Sequence, residues 1–426
     1  MKETDNTLLC IAFHFPPFSG SSGVQRTLRF VQYLPRYGWR PIILSVNPMA
    51  YEMTSEELLG DIPENASVTR TIALDTMRHL GFKGRYPSFL AIPDRWASWV
   101  FGGVLSGLWR ILRDKPKIIW STYPIATAHL VAFILHKLTG LPWVADFRDP
   151  MVEYNERTGE WAPKEDRIRK ARLWIEYLAI NHASKLVFCT HGALHICRAR
   201  YDFDDESKFV VLSNGYDERT FVNCEKTLGK EERVADTGLR VVHSGVLYGG
   251  TDRDPRPLFE AMRHLVLQGN LTRNDLHIVF RGSGADSRYK KDINDLELDD
   301  YVDFKPSCTY HNSITEMLNA DGLLVLQGYT SNPAIPAKVY EYLRAGKPIL
   351  ALVDKEGETA ALLRKFDGVV IAQPDSIDSI TRGLVRYLGL LRDADAGLKP
   401  RDDIKDYSRD ALTGKLADLL EDLGQL

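Results

Sequence analysis

Short runs of apolar residues alternate along the chain with longer stretches whose apolar residues recur every three or four positions. In the first half, the runs LLCIAF, PIILSV, KIIWST and PWVADF are separated by segments such as RTLRFVQYLPRYG and AHLVAFILHKLTG. The short runs predict buried parallel strands, and the periodic stretches predict amphipathic helices between them. The same rhythm restarts at residue 239. The pattern therefore predicts an α/β protein with two similar halves, each built on a parallel sheet.

A polar interval separates the two halves. Residues 222–238, VNCEKTLGKEERVADTG, contain seven charged residues and few large apolar ones, which is typical of a linker. We therefore predict an N-terminal domain over residues 1–222, a linker over 223–238 and a C-terminal domain over 239–400. The remaining residues, 401–426, end in leucines at helical spacing and predict a terminal amphipathic helix that docks on one of the domains.

Composition and charge narrow the class of protein. Of 426 residues, 44% are hydrophobic and 26% charged, and 54 Lys and Arg stand against 57 Asp and Glu. This balance argues against a general electrostatic grip on nucleic acid. The five cysteines are scattered without a CxxC spacing, which predicts buried thiols in a reducing compartment. Neither a secretion signal nor a long apolar run is apparent, so we expect a cytoplasmic protein without a membrane-spanning helix.

The first candidate site is the segment HFPPFSGSSGVQR, residues 14–26, between a predicted strand and a predicted helix. Gly20, Gly23 and three serines ahead of a helix would let backbone N–H groups approach an anion. Arg26 falls in the first helical turn, where a cation is disfavoured unless an anion or an acid lies nearby. The segment matches neither a dinucleotide-binding nor a Walker motif, and an ordinary strand-to-helix turn stays open as an alternative.

The second candidate is ADFRDPM, residues 145–151, at the end of an apolar strand. Ligands of open α/β sheets bind at the carboxyl ends of strands, which places Asp146, Arg148 and Asp149 where chemistry is expected. A carboxylate there can orient or deprotonate an acceptor hydroxyl. A local ion pair followed by an Asp-Pro turn is the alternative.

The third candidate is NPAIPAKVYEYLRAGKPILALV, residues 332–353. A proline at its start and a glycine at its end predict a short helix over 336–345. Lys338 would lie in the first turn, where it opposes the helix dipole, and a bound anion such as a diphosphate explains it. Glu341 shares that face and can accept hydrogen bonds from ribose hydroxyls. The alternative is an exposed Lys–Glu pair on a helix.

Together these segments resemble the family-four glycosyltransferases of bacterial polysaccharide assembly. The resemblance rests on HFPPFSGSSGVQRTLRFVQYLPRYGW, VADFRDP, LSNGYDERTF at 212–221, and IPAKVYEYLRAGKPIL, in the expected order over nearly the whole chain. It implies a GT-B fold, with two Rossmann-like domains facing across a cleft and a C-terminal helix crossing back to the N-terminal domain. It also implies transfer of a sugar from a nucleotide diphosphate sugar to an acceptor hydroxyl, with retention and without an essential metal or other cofactor.

The resemblance also implies roles for individual residues. Lys338 and Arg253 would hold the donor diphosphate, and Glu341 would hold the ribose. The other donor-side residues lie in strand-end loops and are Gly20, Gly23, Gly245 and Arg281. The catalytic role on the acceptor side stays open among His14, Asp146 and Asp149, and the remaining acceptor-side residues are Arg26, Tyr123 and Arg148.

Two departures from the family pattern bear on these roles. Many members carry a glutamate eight positions before Glu341, where this chain has Pro333. In the family, that glutamate usually contacts the donor sugar. In this chain the contact is then missing, or the backbone of residues 332–335 makes it. Members also often place a histidine ahead of a proline where this chain has Ser-Thr-Tyr-Pro at 121–124.

Residues 78–117 mix basic and aromatic side chains. The segment holds eight basic residues against two acidic ones, with seven aromatic residues between them. Such a mixture around a short apolar helix suits contact with anionic lipid headgroups. We therefore expect the N-terminal domain to lie peripherally on the cytoplasmic membrane, beside an acceptor linked to polyprenyl diphosphate. A core helix with a solvated basic rim is the alternative.

The leading hypothesis is therefore a retaining glycosyltransferase of polysaccharide biosynthesis. Two other functions stay open on the same fold. One is a nucleotide-sugar epimerase, which would convert the donor with no acceptor present. The other is a nucleotide-sugar binding protein without catalysis.

Overall fold

The computed structural model of the chain describes residues 6–19, 23–83, 85–155, 158–201, 205–228, 238–247, 252–393 and 402–424. The chain divides into two compact units. The first consists of Met1–Ser213 together with Arg409–Leu426, and the second is Asn214–Ser408. Each unit is an α/β structure with its own parallel sheet, so the predicted fold class is confirmed.

Within the described residues, the first unit is built on a seven-stranded sheet. Its elements follow one another as β1 (Asn6–Ala12), α1 (Gly23–Tyr33), β2 (Trp39–Val46), β3 (Ser67–Thr71), α2 (Thr76–His79), α3 (Trp99–Asp114), β4 (Ile118–Thr122), α4 (Ala126–Thr139), β5 (Trp143–Arg148), β6 (Glu153–Asn155), β7 (Glu160–Ala162), α5 (Asp166–His182), β8 (Lys185–Phe188), α6 (His191–Arg198) and β9 (Phe209–Val211). The strand order is β3-β2-β1-β4-β5-β8-β9, with parallel neighbours throughout. Strands β6 and β7 form a separate antiparallel hairpin.

The second unit repeats this plan with six strands in the part that the structure describes. Its elements are α7 (Glu218–Thr227), β10 (Arg240–Ser244), α8 (Arg256–Leu267), β11 (His277–Arg281), α9 (Asp286–Asp295), β12 (Val302–Lys305), α10 (Tyr310–Asn319), β13 (Gly322–Leu326), α11 (Ala337–Ala345), β14 (Ile349–Leu352), α12 (Glu358–Leu363), β15 (Val369–Ala372) and α13 (Ile377–Arg392). The strand order is β12-β11-β10-β13-β14-β15. Helices cover both faces of each sheet, which is why the central strands are apolar almost without interruption.

Both sheets reverse their strand order beside their first strand. In the first unit the reversal lies between β1 and β4, and in the second between β10 and β13. In open α/β sheets, ligands bind at the carboxyl ends of the strands at such a switch point. The loops that follow these four strands are therefore where a site is expected.

The predicted domain boundary is wrong in its position. Helix α7 spans the predicted boundary at residue 222, and its Phe221 and Cys224 are buried in one apolar cluster with Tyr340 and Tyr342 of α11. The helix is charged on one face and apolar on the other, so its composition alone resembled a linker. Residues 223–227 therefore belong to the second unit, and residues 229–237 of the predicted linker lie outside the described part of the chain.

The last helix, α14 (Arg409–Gly424), packs on the first unit. Leu412, Leu416 and Leu420 share a buried cluster with Leu8 of β1 and Trp39 of β2. Residues 402–407, which precede the helix, pack in the second unit instead. Among the described helices, none is both long and apolar enough to cross a membrane.

Candidate functional site

Helix α11 begins one residue after the predicted start and ends at the predicted residue. Pro336 caps its start, and Gly346 adopts a φ of +69° at its end, a left-handed conformation that glycine tolerates best. The helix follows the loop after β13. Its first turn is therefore delivered to the carboxyl edge of the second sheet, at the switch point.

The Lys338 ammonium is buried in that first turn. Among the described residues, its Nζ has no hydrogen-bond partner. Burial, and then the charge of Arg253, lower the pKa of Lys338 to about 7, against the opposing effect of Glu341. A buried cation without a hydrogen-bond partner is costly, and an anionic ligand at the helix N-terminus would remove the cost.

Gly245 makes room for this lysine. It follows β10 with a φ of +130°, and a Cβ atom built on it would overlap Lys338 Nζ. Its N–H donates to the Arg281 carbonyl at 2.8 Å, which fixes the turn. In the same loop, Arg253 Nη1 donates to the Val246 carbonyl at 3.1 Å. The predicted donor-side residues Gly245, Arg253 and Lys338 are thus brought together at one strand end.

Glu341 lies one turn after Lys338 and is held by a tyrosine. The Tyr310 hydroxyl, from the start of α10, donates to Glu341 Oε1 at 2.9 Å. Next to it on α11, the Tyr342 hydroxyl accepts a hydrogen bond from the Ser244 N–H at 2.9 Å. These two bonds connect the helix to α10 and to the end of β10.

Two further contacts fix the other sides of α11. The Arg344 guanidinium is paired with both carboxylate oxygens of Glu218, each at 2.7 Å, and with Glu225 at 2.8 Å. The Tyr340 ring lies 5.2 Å from that of Tyr407. Residues 340–344 therefore tie the helix to four different elements, so the positions of Lys338 and Glu341 are set before any ligand arrives.

Arg281 is engaged by the protein itself. Its Nε and Nη2 donate to the two carboxylate oxygens of Glu316 at 2.8 and 2.7 Å, and Nη1 donates to the Pro306 carbonyl at 2.9 Å. These bonds link the end of β11 to α10 and to the turn before it. The geometry supports a positioning role, and a direct contact of Arg281 with the donor stays a prediction.

The loop that carries Pro333 is also held by internal hydrogen bonds. Gln327 Nε2 donates to the Ala334 carbonyl at 2.8 Å. The hydroxyls of Thr330 and Ser331 donate to Asp252 Oδ1 at 2.7 and 2.8 Å. The predicted backbone contact of this loop with a donor sugar stays a prediction.

In the first unit, Asp146 lies in a buried network at the end of β5. Arg26 of α1 donates to both of its carboxylate oxygens, at 3.0 and 2.9 Å, and the Thr122 hydroxyl donates at 2.9 Å. Burial raises the pKa of Asp146, but the charges of Arg26 and Arg148 outweigh it and hold that pKa below its ordinary value. Arg26 also donates to the Ser213 carbonyl at 2.9 Å. Asp146 is therefore an ionised group that the chain itself satisfies.

Arg148 completes this network from a left-handed backbone conformation. Its φ is +60°, and strain of this kind concentrates at functional sites. Its guanidinium donates to the Thr122 hydroxyl at 2.8 Å, to the Thr27 hydroxyl at 3.1 Å and to the Gly23 carbonyl at 3.0 Å. The network thus fixes the start of α1, whereas Gly20 lies outside the described residues.

His14 lies after β1 with its imidazole stacked on Phe18, the ring centroids 4.0 Å apart. Burial, and then the positive charge of Arg148, lower the pKa of His14 to about 3. The imidazole is therefore neutral at physiological pH. It can form hydrogen bonds, but it holds a transferred proton weakly.

The other two acceptor-side candidates differ in exposure. Asp149 is exposed at the strand end, although the surrounding protein raises the pKa of its carboxyl group by desolvation, against the charge of Arg148. The Tyr123 ring is buried in the core, burial raises its pKa to about 12, and its hydroxyl accepts a hydrogen bond from Arg172 at 3.2 Å. Of the two, Asp149 is the one that is exposed to solvent.

Several residues that build these sites were not singled out from the sequence. They are Tyr310, Tyr342 and Thr122, whose partners lie far away in the chain. Local spacing carries no signal for them. Within the described residues, no group of three or more His, Cys, Asp and Glu side chains is placed to hold a metal ion.

Two family descriptions match the sequence. Residues 22–215 match "Glycosyl transferase 4-like domain", and residues 251–421 match "Glycosyl transferases group 1". Together the two matches cover most of the chain, so the protein belongs to the group 1 glycosyltransferases with a family-4-like N-terminal domain. The alternative of a binding protein without catalysis is not supported. No curated protein matches the chain in sequence.

Solved structures of low sequence identity share the fold. Sucrose-phosphate synthase from Thermosynechococcus elongatus aligns with a TM-score of 0.67 and 14% identity, over 98% of this chain and 99% of that one. HepE from Anabaena, in complex with UDP and glucose, aligns with a TM-score of 0.63 and 13% identity, over 98% and 99%. UDP-GlcNAc 2-epimerase from Methanocaldococcus jannaschii gives 0.57 and 12%, over 97% and 99%. These likenesses show the GT-B fold.

Proposed function

We propose that this glycosyltransferase moves a sugar, with retention of configuration, from a nucleoside diphosphate sugar to a hydroxyl of a lipid-linked glycan. The observation that carries the donor side is the buried Lys338 ammonium, which lacks a hydrogen-bond partner among the described residues and lies beside Arg253. Glu341, one turn further along α11, would accept the ribose hydroxyls. The complex of HepE with UDP and glucose supports a donor of this chemical class.

Lys338, Arg253 and the N-terminus of α11 would stabilise the leaving diphosphate. When the bond between the anomeric carbon and the diphosphate breaks, negative charge develops on the leaving oxygen. Fixed cations and helix N–H groups aimed at that charge lower the barrier without reorganisation. In this proposal they supply the charge stabilisation, and no metal is required.

Retention follows if the leaving phosphate oxygen accepts the proton of the acceptor hydroxyl. The new bond then forms on the face from which the diphosphate departs. Two protein candidates for this base are poorly suited to it, because Asp146 is satisfied by Arg26 and Thr122 and His14 has a pKa of about 3. We assign to the exposed Asp149 the role of orienting the acceptor hydroxyl.

The proposal of a lipid-linked acceptor is based on the outer face of α3. Phe101, Leu105 and Leu112 form one stripe on this helix, with exposures of 77%, 71% and 78%. The opposite face packs on α4, because Gly103 and Gly107 allow a close approach. The alternative of a core helix thus holds for one face only.

Basic residues near the outer face of α3 indicate what kind of surface this face contacts. Arg113 is 60% exposed at the end of the helix, and Lys115 follows it. Phe82 and Phe89 are exposed in the segment before α3. An apolar stripe with basic neighbours fits an anionic membrane surface, where a lipid-linked glycan is reached.

The donor specificity is tested with a panel of UDP-, GDP-, ADP- and dTDP-sugars, measured by thermal shift and then calorimetry. We expect stabilisation by at least one. The anomeric configuration of the transferred sugar is then read by NMR, and an inverted product would contradict retention. Conversion of the donor sugar to an epimer, with no acceptor present, would instead support the epimerase alternative, whose fold the chain shares.

The membrane proposal is tested by co-sedimentation with vesicles of neutral or anionic lipid. The variant Leu105→Ser with Leu112→Ser should lose binding to anionic vesicles. The matched control is Leu267→Ser, which changes a leucine that is 67% exposed on the second unit. Equal recovery of the wild type, the double variant and the control with anionic vesicles would overturn the proposal.

A further inference from the structure

We infer that Tyr310 is a positioning residue for nucleotide binding. Its hydroxyl orients the Glu341 carboxylate toward the hydroxyl pair of a ribose. This inference rests on the proposed function, in which Glu341 accepts the ribose of the donor. The inference assigns to Tyr310, which lies outside α11, a part in how well the site distinguishes a ribose from a sugar that lacks the 2′ and 3′ hydroxyls.

The geometry fixes both ends of this contact. Tyr310 is the first residue of α10, and the Thr309 side chain before it caps the helix by accepting from the Asn312 N–H at 3.2 Å. The Tyr310 ring packs against the cluster that contains α11, and its hydroxyl donates to Glu341 Oε1 at 2.9 Å. A rigid donor on one helix therefore holds a flexible carboxylate on the other.

The chemistry of a carboxylate makes this hold useful. An ionised carboxylate accepts hydrogen bonds at about four lone-pair positions, and Tyr310 occupies one of them at Oε1. A ribose offers two adjacent hydroxyl donors, which need a carboxylate of fixed orientation. Fixing the glutamate rotamer before the ligand binds removes an entropy loss from the binding step.

The spacing on α11 matches that of a nucleotide. Lys338 and Glu341 are three residues apart on one face of the helix, which separates their Cβ atoms by about 5–6 Å. In a nucleoside diphosphate the ribose hydroxyls and the phosphates are separated by only the sugar ring and one methylene. A diphosphate at Lys338 thus places the ribose beside Glu341, where Tyr310 acts.

The test is a double-mutant cycle. It removes the Tyr310 hydroxyl from the protein and the 2′ and 3′ hydroxyls from the ligand. Full-length wild type and Tyr310→Phe are titrated by calorimetry with the tightest-binding of UDP, GDP and ADP, and with its 2′,3′-dideoxy analogue. We expect Tyr310→Phe to weaken the ribonucleotide by about tenfold and the dideoxy analogue by less than about twofold. Glu341→Gln should reduce the same preference for the ribonucleotide over its dideoxy analogue. The double variant, Tyr310→Phe with Glu341→Gln, should reduce that preference little further.

The control removes a tyrosine hydroxyl from the opposite edge of the same sheet. The Tyr387 hydroxyl donates to the Pro348 carbonyl at 3.1 Å, ahead of β14. Tyr387→Phe should leave the ratio of the two affinities unchanged. Equal weakening of both ligands by Tyr310→Phe, or no weakening of either, would overturn the inference. Absence of nucleotide binding by the wild type would instead overturn the proposed function.

Discussion

Each of the two sheets has a buried charged residue at its carboxyl edge, and the surrounding protein treats the two charges in opposite ways. At the end of β5, the buried Asp146 carboxylate is surrounded by donors from Arg26 and Thr122. At the start of α11, the buried Lys338 ammonium has no hydrogen-bond partner in the described part of the chain. Both lie at the carboxyl edge of a parallel sheet.

We propose that this difference separates a group that holds the fold from one that binds a ligand. A buried charge that its own chain satisfies contributes to the structure, and losing its partner is costly. A buried charge without such partners is retained at a cost, which a bound counter-charge offsets. The comparison predicts that substitutions at Asp146 mainly affect stability, whereas those at Lys338 mainly affect binding.

The largest effect is expected for Asp146→Ala. The substitution leaves Arg26 and Arg148 buried without their counter-charge, and we expect the free energy of unfolding to fall by about 3–5 kcal/mol. Urea denaturation followed by circular dichroism measures it. The control is Asp295→Ala, whose partner Lys291 is exposed, and which should change stability by less than about 0.5 kcal/mol. A stable Asp146→Ala protein that has lost only activity would contradict the comparison.

The next effect is expected for Lys338→Met, which keeps the side-chain volume and removes the charge. Affinity for a nucleoside diphosphate should fall about a hundredfold, because a charge-assisted contact with the phosphates is lost. Stability should not fall, since the buried cation that is removed has no hydrogen-bond partner among the described residues. Calorimetry and thermal unfolding of the same preparations measure both quantities.

A matched control for this substitution is Lys291→Met. That lysine is 80% exposed and pairs with Asp295 in the same unit. It should leave nucleotide affinity unchanged. If Lys338→Met bound nucleotide as tightly as this control, the donor site would have to lie elsewhere.

How much of this was predictable depends on how far apart the partners are in sequence. The strands, helix α11 and the special position of Lys338 were predicted, because their signals are local: apolar runs, a proline, a glycine and a cation in a first turn. The pairing of Arg26 with Asp146 joins residues 120 positions apart. Its satisfied state was therefore not predictable from spacing.

The wrong domain boundary has the same physical origin. Helix α7 is rich in charge, and the apolar face that carries Phe221 and Cys224 becomes evident only from what it packs against. Likewise, Tyr310 and Glu341 are 31 positions apart, and neither has a recognisable spacing to the other. Periodicity predicted the elements, but it could not predict which side chains meet between them.

A smaller effect is expected for Gly245→Ala, which acts on Lys338 indirectly. The new Cβ would overlap Lys338 Nζ and displace it from the turn after β10. We expect affinity for a nucleoside diphosphate to fall about tenfold, less than for removal of the charge itself. Calorimetry measures the change.

The control for backbone strain is Gly269→Ala. Gly269 also has a positive φ, of +72°, but a Cβ there meets nothing within 4 Å. Both variants should lose some stability from strain. Only Gly245→Ala should lose affinity, and equal affinities would show that Gly245 serves the turn and not the lysine.

The smallest expected effect is the pH dependence of binding. The pKa of Lys338 is lowered to about 7 in the free protein, so the ammonium is charged below that pH and neutral above it. A bound diphosphate favours the charged form, and binding above pH 7 therefore takes up a proton. Affinity should fall about fivefold from pH 7 to pH 8. Calorimetry at both pH values, in buffers of different ionisation enthalpy, measures the affinity and the proton uptake.

Lys338→Met should abolish this dependence while keeping its low affinity constant over the same range. Asp146 provides the contrast, because its pKa is lowered and its carboxylate is ionised throughout this window. Asp146 therefore contributes no change in nucleotide affinity between pH 7 and pH 8. A pH dependence that persists in Lys338→Met would assign the titration to another group. It would also weaken the distinction between Asp146, which the chain satisfies, and Lys338, which has no hydrogen-bond partner in the part of the chain that the structure describes.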